Sequence, residues 1–134
     1  MRELHIILAH LQAAAAQLPV VAPDDSHEQD VENHEESESR KVQAAMRSGL
    51  PFSEYCFVFN PLDESDREAI VTTIQDDLGD VYRDLARGLA LFDAGRHSDA
   101  IWEWRFSYFS HWGRHAVHAQ AAIWQFLADG NNFD

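Results

Sequence analysis

Residues 88–104 read GLALFDAGRHSDAIWEW, and this stretch decides the fold because it describes a tight turn between two helices. Ala94 and Gly95 stand where the first helix must end, since glycine is favoured just past the last helical turn. Ser98 has the position of an N-cap, and Asp99 follows in the first turn, where the helix dipole favours a negative charge. The stretch predicts a helical hairpin that turns near residue 96.

The helices on both sides of this turn are long. The first is predicted over residues 66–94, because Ser65 and Glu68 have capping-box spacing and apolar side chains follow at helical intervals. The second is predicted over residues 98–127. The sequence therefore predicts a long C-terminal helical hairpin.

Residues equally far from the turn face each other in such a hairpin. Gly88 then lies opposite Trp104, and the missing Cβ of the glycine leaves room for the indole. The same register brings the acidic residues of the first helix to the polar residues of the second: Asp84 near Arg105 and Tyr108, Asp80 near His111 and Trp112, and Asp77 near His115.

The N-terminal half predicts further helices. Residues 3–17 have apolar side chains at helical spacing until Pro19 ends the pattern, and a short helix is predicted near residues 39–47. FSEYCFVFNP, residues 52–61, predicts either an extended strap across the core or one more helical turn. With no second strand pattern, the expected fold is all-α: one domain over residues 1–134, built as an antiparallel bundle of about four helices.

The charge of the chain is concentrated in one segment. The net charge is −13, and eight of the 23 acidic residues lie between Asp24 and Ser39 without a lysine or arginine among them. Such a segment cannot bury enough apolar surface to order itself, so an acidic mobile loop is predicted at about residues 20–38, acting as a linker or, alternatively, as an interaction tail. The negative charge argues against nucleic acid and membrane surfaces as partners.

The single cysteine and the hydropathy pattern bear on localisation. Cys56 cannot form an internal disulfide, and its apolar neighbours predict a buried, unreactive thiol. No apolar run approaches the length of a membrane span, and the N-terminal helix lacks the pattern of a signal peptide. A cytoplasmic location is expected.

The aromatic run WEWRFSYFSHWGRH, residues 102–115, contains Arg105 among bulky apolar side chains, so its positive charge needs a partner. A buried Arg105 requires a carboxylate, and Asp84 or Asp80 would supply it from the facing helix. The favoured interpretation is an internal polar network that fixes the helix register, made of Asp80, Asp84, Arg105 and His111. An unpaired Arg105 ringed by aromatic side chains would instead indicate an anion-binding site.

A metal site is the sharper alternative for the same region. His111 and His115 are four residues apart and project from one helix face, which is the spacing of paired metal ligands. Asp77 and Asp80 would complete an N/O site for zinc or a similar ion. The run HWGRH lacks the glutamate of the metalloprotease pattern HExxH, so the predicted ligand set, Asp77, Asp80, His111 and His115, rests on spacing and register alone.

A third hypothesis is a nucleotide pyrophosphohydrolase, in which acidic residues of two helices hold Mg²⁺ around a phosphate chain. The acidic residues available are Asp76, Asp77, Asp80 and Asp84 on one helix and Asp99 and Glu103 on the other. The predicted register argues against it, because Glu103 lies about five residues, or ~7 Å, along the axis from Asp84.

Three stretches of the chain resemble a family of small bacterial proteins catalogued only as a domain of unknown function. They are YCFVFNP, DDLGDVYRDLARGLALFDAG and, most specifically, AIWEWRFSYFSHWGRHAVHA. The resemblance covers about residues 51–128 and implies an all-α fold, with an additional helix ahead of the one that begins this chain. It implies no activity.

Two functions are therefore expected from the sequence. The favoured one is a non-enzymatic protein-interaction or accessory module with a protein partner and no cofactor, since no complete catalytic set is present. A homo-oligomer is compatible with this expectation. The alternative is a metal-dependent hydrolase with its Asp/His site between the two long helices, so the sequence leaves the question of enzymatic activity open.

Overall fold

The computed structural model describes residues 1–24, 34–47 and 49–130, with the backbone alone for residues 34–37 and 39. Five α-helices, two strands and one turn of π-helix follow each other in these residues. They are α1 (Arg2–Ala16), α2 (His34–Arg47), β1 (Glu54–Val58), β2 (Ala69–Thr73), α3 (Ile74–Asp93), α4 (His97–Ser107), the π turn (Tyr108–Trp112) and α5 (Gly113–Asp129). The last three run on without a break and form one C-terminal helical rod.

The predicted hairpin is confirmed, and so is its register where Gly88 meets Trp104. Gly95 has a φ of 79°, and the backbone N–H of Arg96 donates to the carbonyl of Leu91 at 3.0 Å, which closes α3. A Cβ at Gly88 would lie only 2.0 Å from Nε1 of Trp104, so the indole occupies the space that the glycine leaves. That indole also donates to the backbone carbonyl of α3 at Leu85, at 3.0 Å.

The prediction of an all-α fold is correct only in part, because residues 69–73 form a strand. β2 pairs antiparallel with β1, so that Cys56 lies opposite Val71. The β-branched run in AIVTT favours a strand, while the spacing of Ile70, Val71 and Ile74 also satisfies a helix; tertiary pairing with β1 decides between them. The fold is mostly helical with a small two-stranded sheet.

The starts of both hairpin helices also differ from prediction. Thr73, and not Ser65, caps α3: its hydroxyl accepts a hydrogen bond from the backbone N–H of Asp76 at 3.2 Å. The final helix begins at His97, one residue before the predicted cap at Ser98, and Arg96 provides no side-chain cap. Strand β2 thus leads directly into α3, and the N–H of Ile74 donates to the carbonyl of Ser53 beside β1 at 2.9 Å, which ties the sheet to the start of the helix.

The N-terminal predictions are confirmed for α1, which ends at Ala16 before Pro19. Helix α2 begins at His34, earlier than the predicted start at residue 39, so the last part of the predicted acidic loop is helical. The prediction for residues 25–33 lies outside the described residues. Just before them, the N–H of Asp24 donates to the carboxylate of Asp99 at 2.6 Å.

The hydrophobic core lies where α1 and α3 pack against the C-terminal rod, while α2 covers another side of α3. Its buried members are Leu8 and Ala15 of α1, Ile74, Leu78 and Val81 of α3, and Trp112, Ala116, Ala119 and Ile123 of the rod. None of the helices in the described part of the chain has the length and apolarity needed to cross a membrane.

The π turn is made possible by Gly113. The backbone N–H of this glycine donates to the carbonyl oxygen of Tyr108, five residues earlier, as π geometry requires. A Cβ at Gly113 would lie 2.2 Å from that oxygen, so only glycine fits here. The wider turn adds one residue to the rod in the middle of the predicted site.

Candidate functional site

Two aspartate–histidine pairs join α3 to the C-terminal rod. Nδ1 of His111 lies 2.7 Å from Oδ2 of Asp84, and Nδ1 of His115 lies 2.7 Å from Oδ1 of Asp77. Asp77 and Asp84 are two helical turns apart on α3, so they emerge from the same face of the helix. The pairing of Asp77 with His115 confirms the predicted register at this level.

Asp80 lies between the two pairs along α3. Its Oδ2 is 3.6 Å from Nε2 of His115, while its Oδ1 accepts a hydrogen bond from Arg83 at 2.5 Å. One potential ligand atom from each of Asp80, His111 and His115 lies within 4.8 Å of the others. Three of the four residues predicted as metal ligands therefore converge, and the fourth, Asp77, is hydrogen-bonded to His115 instead.

The hydrogen bonds determine which nitrogen each imidazole presents. A carboxylate only accepts, so Nδ1 of each ring carries the proton and donates it to Asp84 or Asp77. In the neutral form of each ring, Nε2 is then the nitrogen with the free lone pair. A carboxylate bonded to the far nitrogen of a ligating histidine is the usual support of protein metal sites, because it fixes the tautomer and the ring orientation.

Tyr55 of β1 completes the support of this cluster, and sequence reasoning missed it. Its hydroxyl donates a hydrogen bond to the second carboxylate oxygen of Asp77, the residue that holds His115. Burial raises the pKa of Tyr55, and the hydrogen bond to Asp77 raises it further, so the phenol remains a donor at any physiological pH. Both oxygens of the buried Asp77 are thus engaged, which fixes the carboxylate.

Arg105 does not join the predicted polar network. Asp84 binds His111 and Asp80 binds Arg83, and among the described residues no carboxylate forms an ion pair with Arg105. Its guanidinium carbon instead lies 4.9 Å from the centre of the Phe109 ring. Its side chain points away from the facing helix, because Arg105 follows Trp104, which faces α3, and each residue turns the helix by about 100°.

Cys56 is exposed, which contradicts the prediction of a buried thiol. It lines a groove of about 480 Å³ between β1 and α5. In that groove, His118 stacks on Phe57 with the ring centres 3.9 Å apart, and burial lowers the pKa of the imidazole. An extended strap across the core was one of the two predictions for this stretch, and in the observed strand Glu54 and Cys56 are exposed.

The acidic residues of the pyrophosphohydrolase hypothesis do not converge. Asp99 binds Arg96 and the N–H of Asp24 near the hairpin turn, and Asp76 is exposed at the start of α3. Glu103 is paired with Arg87 at 3.4 Å, and burial raises the pKa of its carboxyl group. The acidic residues are spread along the hairpin and form no single carboxylate cage.

Comparison with known proteins identifies a family. A family model described as "Domain of unknown function (DUF5063)" matches residues 1–129. No curated protein and no solved structure shows significant similarity to the chain. The match spans the Asp/His cluster and both strands.

Proposed function

The chain belongs to the DUF5063 family, and we propose that it is a metal-dependent hydrolase whose metal ion is held by Asp80, His111 and His115. One observation carries this proposal: three potential ligand atoms lie within 4.8 Å of each other, and both histidines are hydrogen-bonded to aspartates through Nδ1. A set of two imidazoles and one carboxylate suits zinc or a similar first-row ion.

The number of protein ligands supports a catalytic site rather than a structural one. Structural zinc sites have four protein ligands, whereas catalytic sites have three and keep a position for water. All three ligands are only partly buried, so water can reach the ion. A metal ion held by these three residues would supply an activated water for the hydrolysis of a carbonyl or phosphoryl substrate.

The neighbouring side chains support an ion in this position. Asp77 and Asp84 hold the two imidazoles through Nδ1, and Tyr55 holds Asp77 in place. The rings of His111 and His115 are 4.8 Å apart and inclined by 63°, which allows both to approach one ion. A purely structural network accounts for the aspartate–histidine bonds but does not require Asp80 to approach His115.

The test is a titration of tag-free protein that has first been stripped with a chelator. Co²⁺ should bind one ion per chain with visible d–d absorption, and Zn²⁺ should displace it. Replacement of a ligand, in Asp80→Asn, His111→Gln or His115→Gln, should abolish stoichiometric binding. Asp77→Asn and Asp84→Asn should weaken it by about 10–100-fold, as is typical for residues that orient a ligand.

His118→Gln is the matched control, because His118 lies one turn beyond His115 on α5 and is not part of the cluster. It should bind Co²⁺ as the wild type does. A saturating ion should also raise the melting temperature of the wild type and of this control, but not of His115→Gln, because a ligand stabilises only the state that binds it. If the stripped protein takes up no stoichiometric ion, the metal site is wrong.

Hydrolysis is tested separately on the loaded protein with a panel of esters, amides and phosphate esters. Turnover should depend on the ion and disappear in His115→Gln. Metal binding without any turnover would contradict the hydrolase and leave the second proposal, a protein-interaction or accessory module. Two apolar side chains that α5 leaves in solvent, Val117 and Trp124, support that second proposal.

A further inference from the structure

A second candidate site lies on the other side of the C-terminal rod. It is a pocket of about 340 Å³ formed by α4, the π turn and the segment after α1, and we call it the Arg105 pocket. Trp102 is about 200° around the helix from Trp104, so the pocket is on the side of α4 that faces away from α3. Its lining residues are Val20, Val21, Trp102, Arg105, Phe106, Phe109 and Ser110.

The charge in this pocket is not balanced by the described part of the chain. Arg83, Arg87 and Arg96 each pair with an acidic residue. Arg105, the next arginine along the chain, has no such partner among the described residues, although the chain has 23 acidic residues and only ten lysines and arginines. Its guanidinium lies over the ring of Phe109 and keeps its hydrogen-bond donors available for an acceptor from outside.

The walls of the pocket are flat and apolar. The rings of Trp102 and Phe106 stack with an interplanar angle of 5° and their centres 4.8 Å apart. Phe106 and Phe109 are more than half exposed. Exposure of this much aromatic surface to water is unfavourable unless a bound molecule covers it. An apolar wall beside a free guanidinium is complementary to a molecule with a planar body and one acidic group.

We propose that the Arg105 pocket binds a small aromatic carboxylate. The planar guanidinium of Arg105 would accept the carboxylate in a bidentate pair, and the aromatic body would lie against Trp102, Phe106 and Phe109. The volume is that of a small-molecule site, since ligand pockets measure about 300–1,000 Å³. The site is independent of the Asp/His cluster and of any metal.

The experiment uses 2-naphthoate as the probe and the full-length protein, with heteronuclear NMR of the indole N–H groups as the readout. The peak of Trp102, assigned by its loss in Trp102→Phe, should shift saturably, and the peak of Trp124 on α5 should not move. Naphthalene-2-carboxamide has the same body without the charge, and acetate has the charge without the body. Each should bind at least about tenfold more weakly than 2-naphthoate.

Two arginine variants identify the cation. Arg105→Met keeps an apolar side chain and should weaken 2-naphthoate binding by about tenfold or more, while Arg105→Lys should fall between it and the wild type. Arg114→Met is the matched control, because Arg114 also lies over a phenylalanine ring, that of Phe59 at 4.2 Å, but outside the pocket. Circular dichroism verifies that each variant is folded.

Three results would overturn the proposal. They are the absence of saturable shifts with 2-naphthoate, equal affinity for 2-naphthoate and its amide, and equal losses in Arg105→Met and Arg114→Met. Saturable binding of a peptide with a free C-terminal carboxylate, without binding of 2-naphthoate, would assign the pocket to a protein partner and would also refute it.

Discussion

Replacement of Gly88 by alanine should destabilise the protein, although alanine is the better helix former. A Cβ at this position would lie 2.0, 2.3 and 2.5 Å from three atoms of the Trp104 indole, all in its five-membered ring. The ring would have to move by more than 1 Å, which costs about 1–3 kcal/mol as overpacking. The move would also break the hydrogen bond to the carbonyl of Leu85, for about 1 kcal/mol more.

Helix propensity acts in the opposite direction, because alanine gains about 1 kcal/mol over glycine inside a helix. The net expectation is a loss of about 1–3 kcal/mol in the free energy of unfolding. Urea denaturation followed by far-ultraviolet circular dichroism measures it directly. The denaturant dependence of the transition should stay unchanged, since the fold is the same.

The control is the same substitution in a Trp104→Leu background. Without the indole, the added methyl group has space, and alanine should then be neutral or stabilising by up to about 1 kcal/mol. The sign of the effect therefore reverses between the two backgrounds. If Gly88→Ala stabilises the protein that retains Trp104, the close contact between the helices and the register built on it are wrong.

Two further predictions concern the C-terminal rod. Gly113→Ala should destabilise the protein by about 2 kcal/mol or more in urea denaturation. The new Cβ would meet the carbonyl oxygen of Tyr108, which is a backbone atom and cannot rotate away. A stability equal to that of the wild type would contradict the π turn. Glu103→Gln should stabilise the protein at neutral pH. Burial raises the pKa of Glu103 in the folded state above its ordinary value of 4.5, so the folded protein binds this proton more tightly than the unfolded chain does. The free energy of unfolding of the wild type therefore falls as the pH rises above 4.5. The difference between this variant and the wild type should shrink to zero as the pH falls below that value, and a difference independent of pH would refute the assignment.

The hairpin could be predicted from sequence because its information is local. Gly95 ends one helix, and a glycine and a tryptophan at equal distances from the turn specify how the two helices meet. The Asp77–His115 pair followed from that register. Both inferences needed only the rise per residue of an α-helix and the number of residues in the turn.

The remaining features depend on contacts that are distant in the chain. AIVTT is a strand because β1 lies beside it, and nothing within the five residues shows that partner. Tyr55 reaches Asp77 across 22 positions, so its role in the site follows only from the fold. The direction of Arg105 was wrong because opposite positions along an axis do not determine which way around the helix a side chain points.

The π turn gives the C-terminal rod one location at which the length of the chain can change. At other positions of this rod before Ala116, the loss of a single residue would rotate everything after it by about 100° and move Ala116, Ala119 and Ile123 out of the core. Loss of one residue within 108–112 would instead restore an ordinary α-helix and leave both flanking helices in phase. In a family alignment, single-residue gaps should therefore collect at these five positions. In relatives that carry such a gap, residues other than glycine should be found at the position of Gly113.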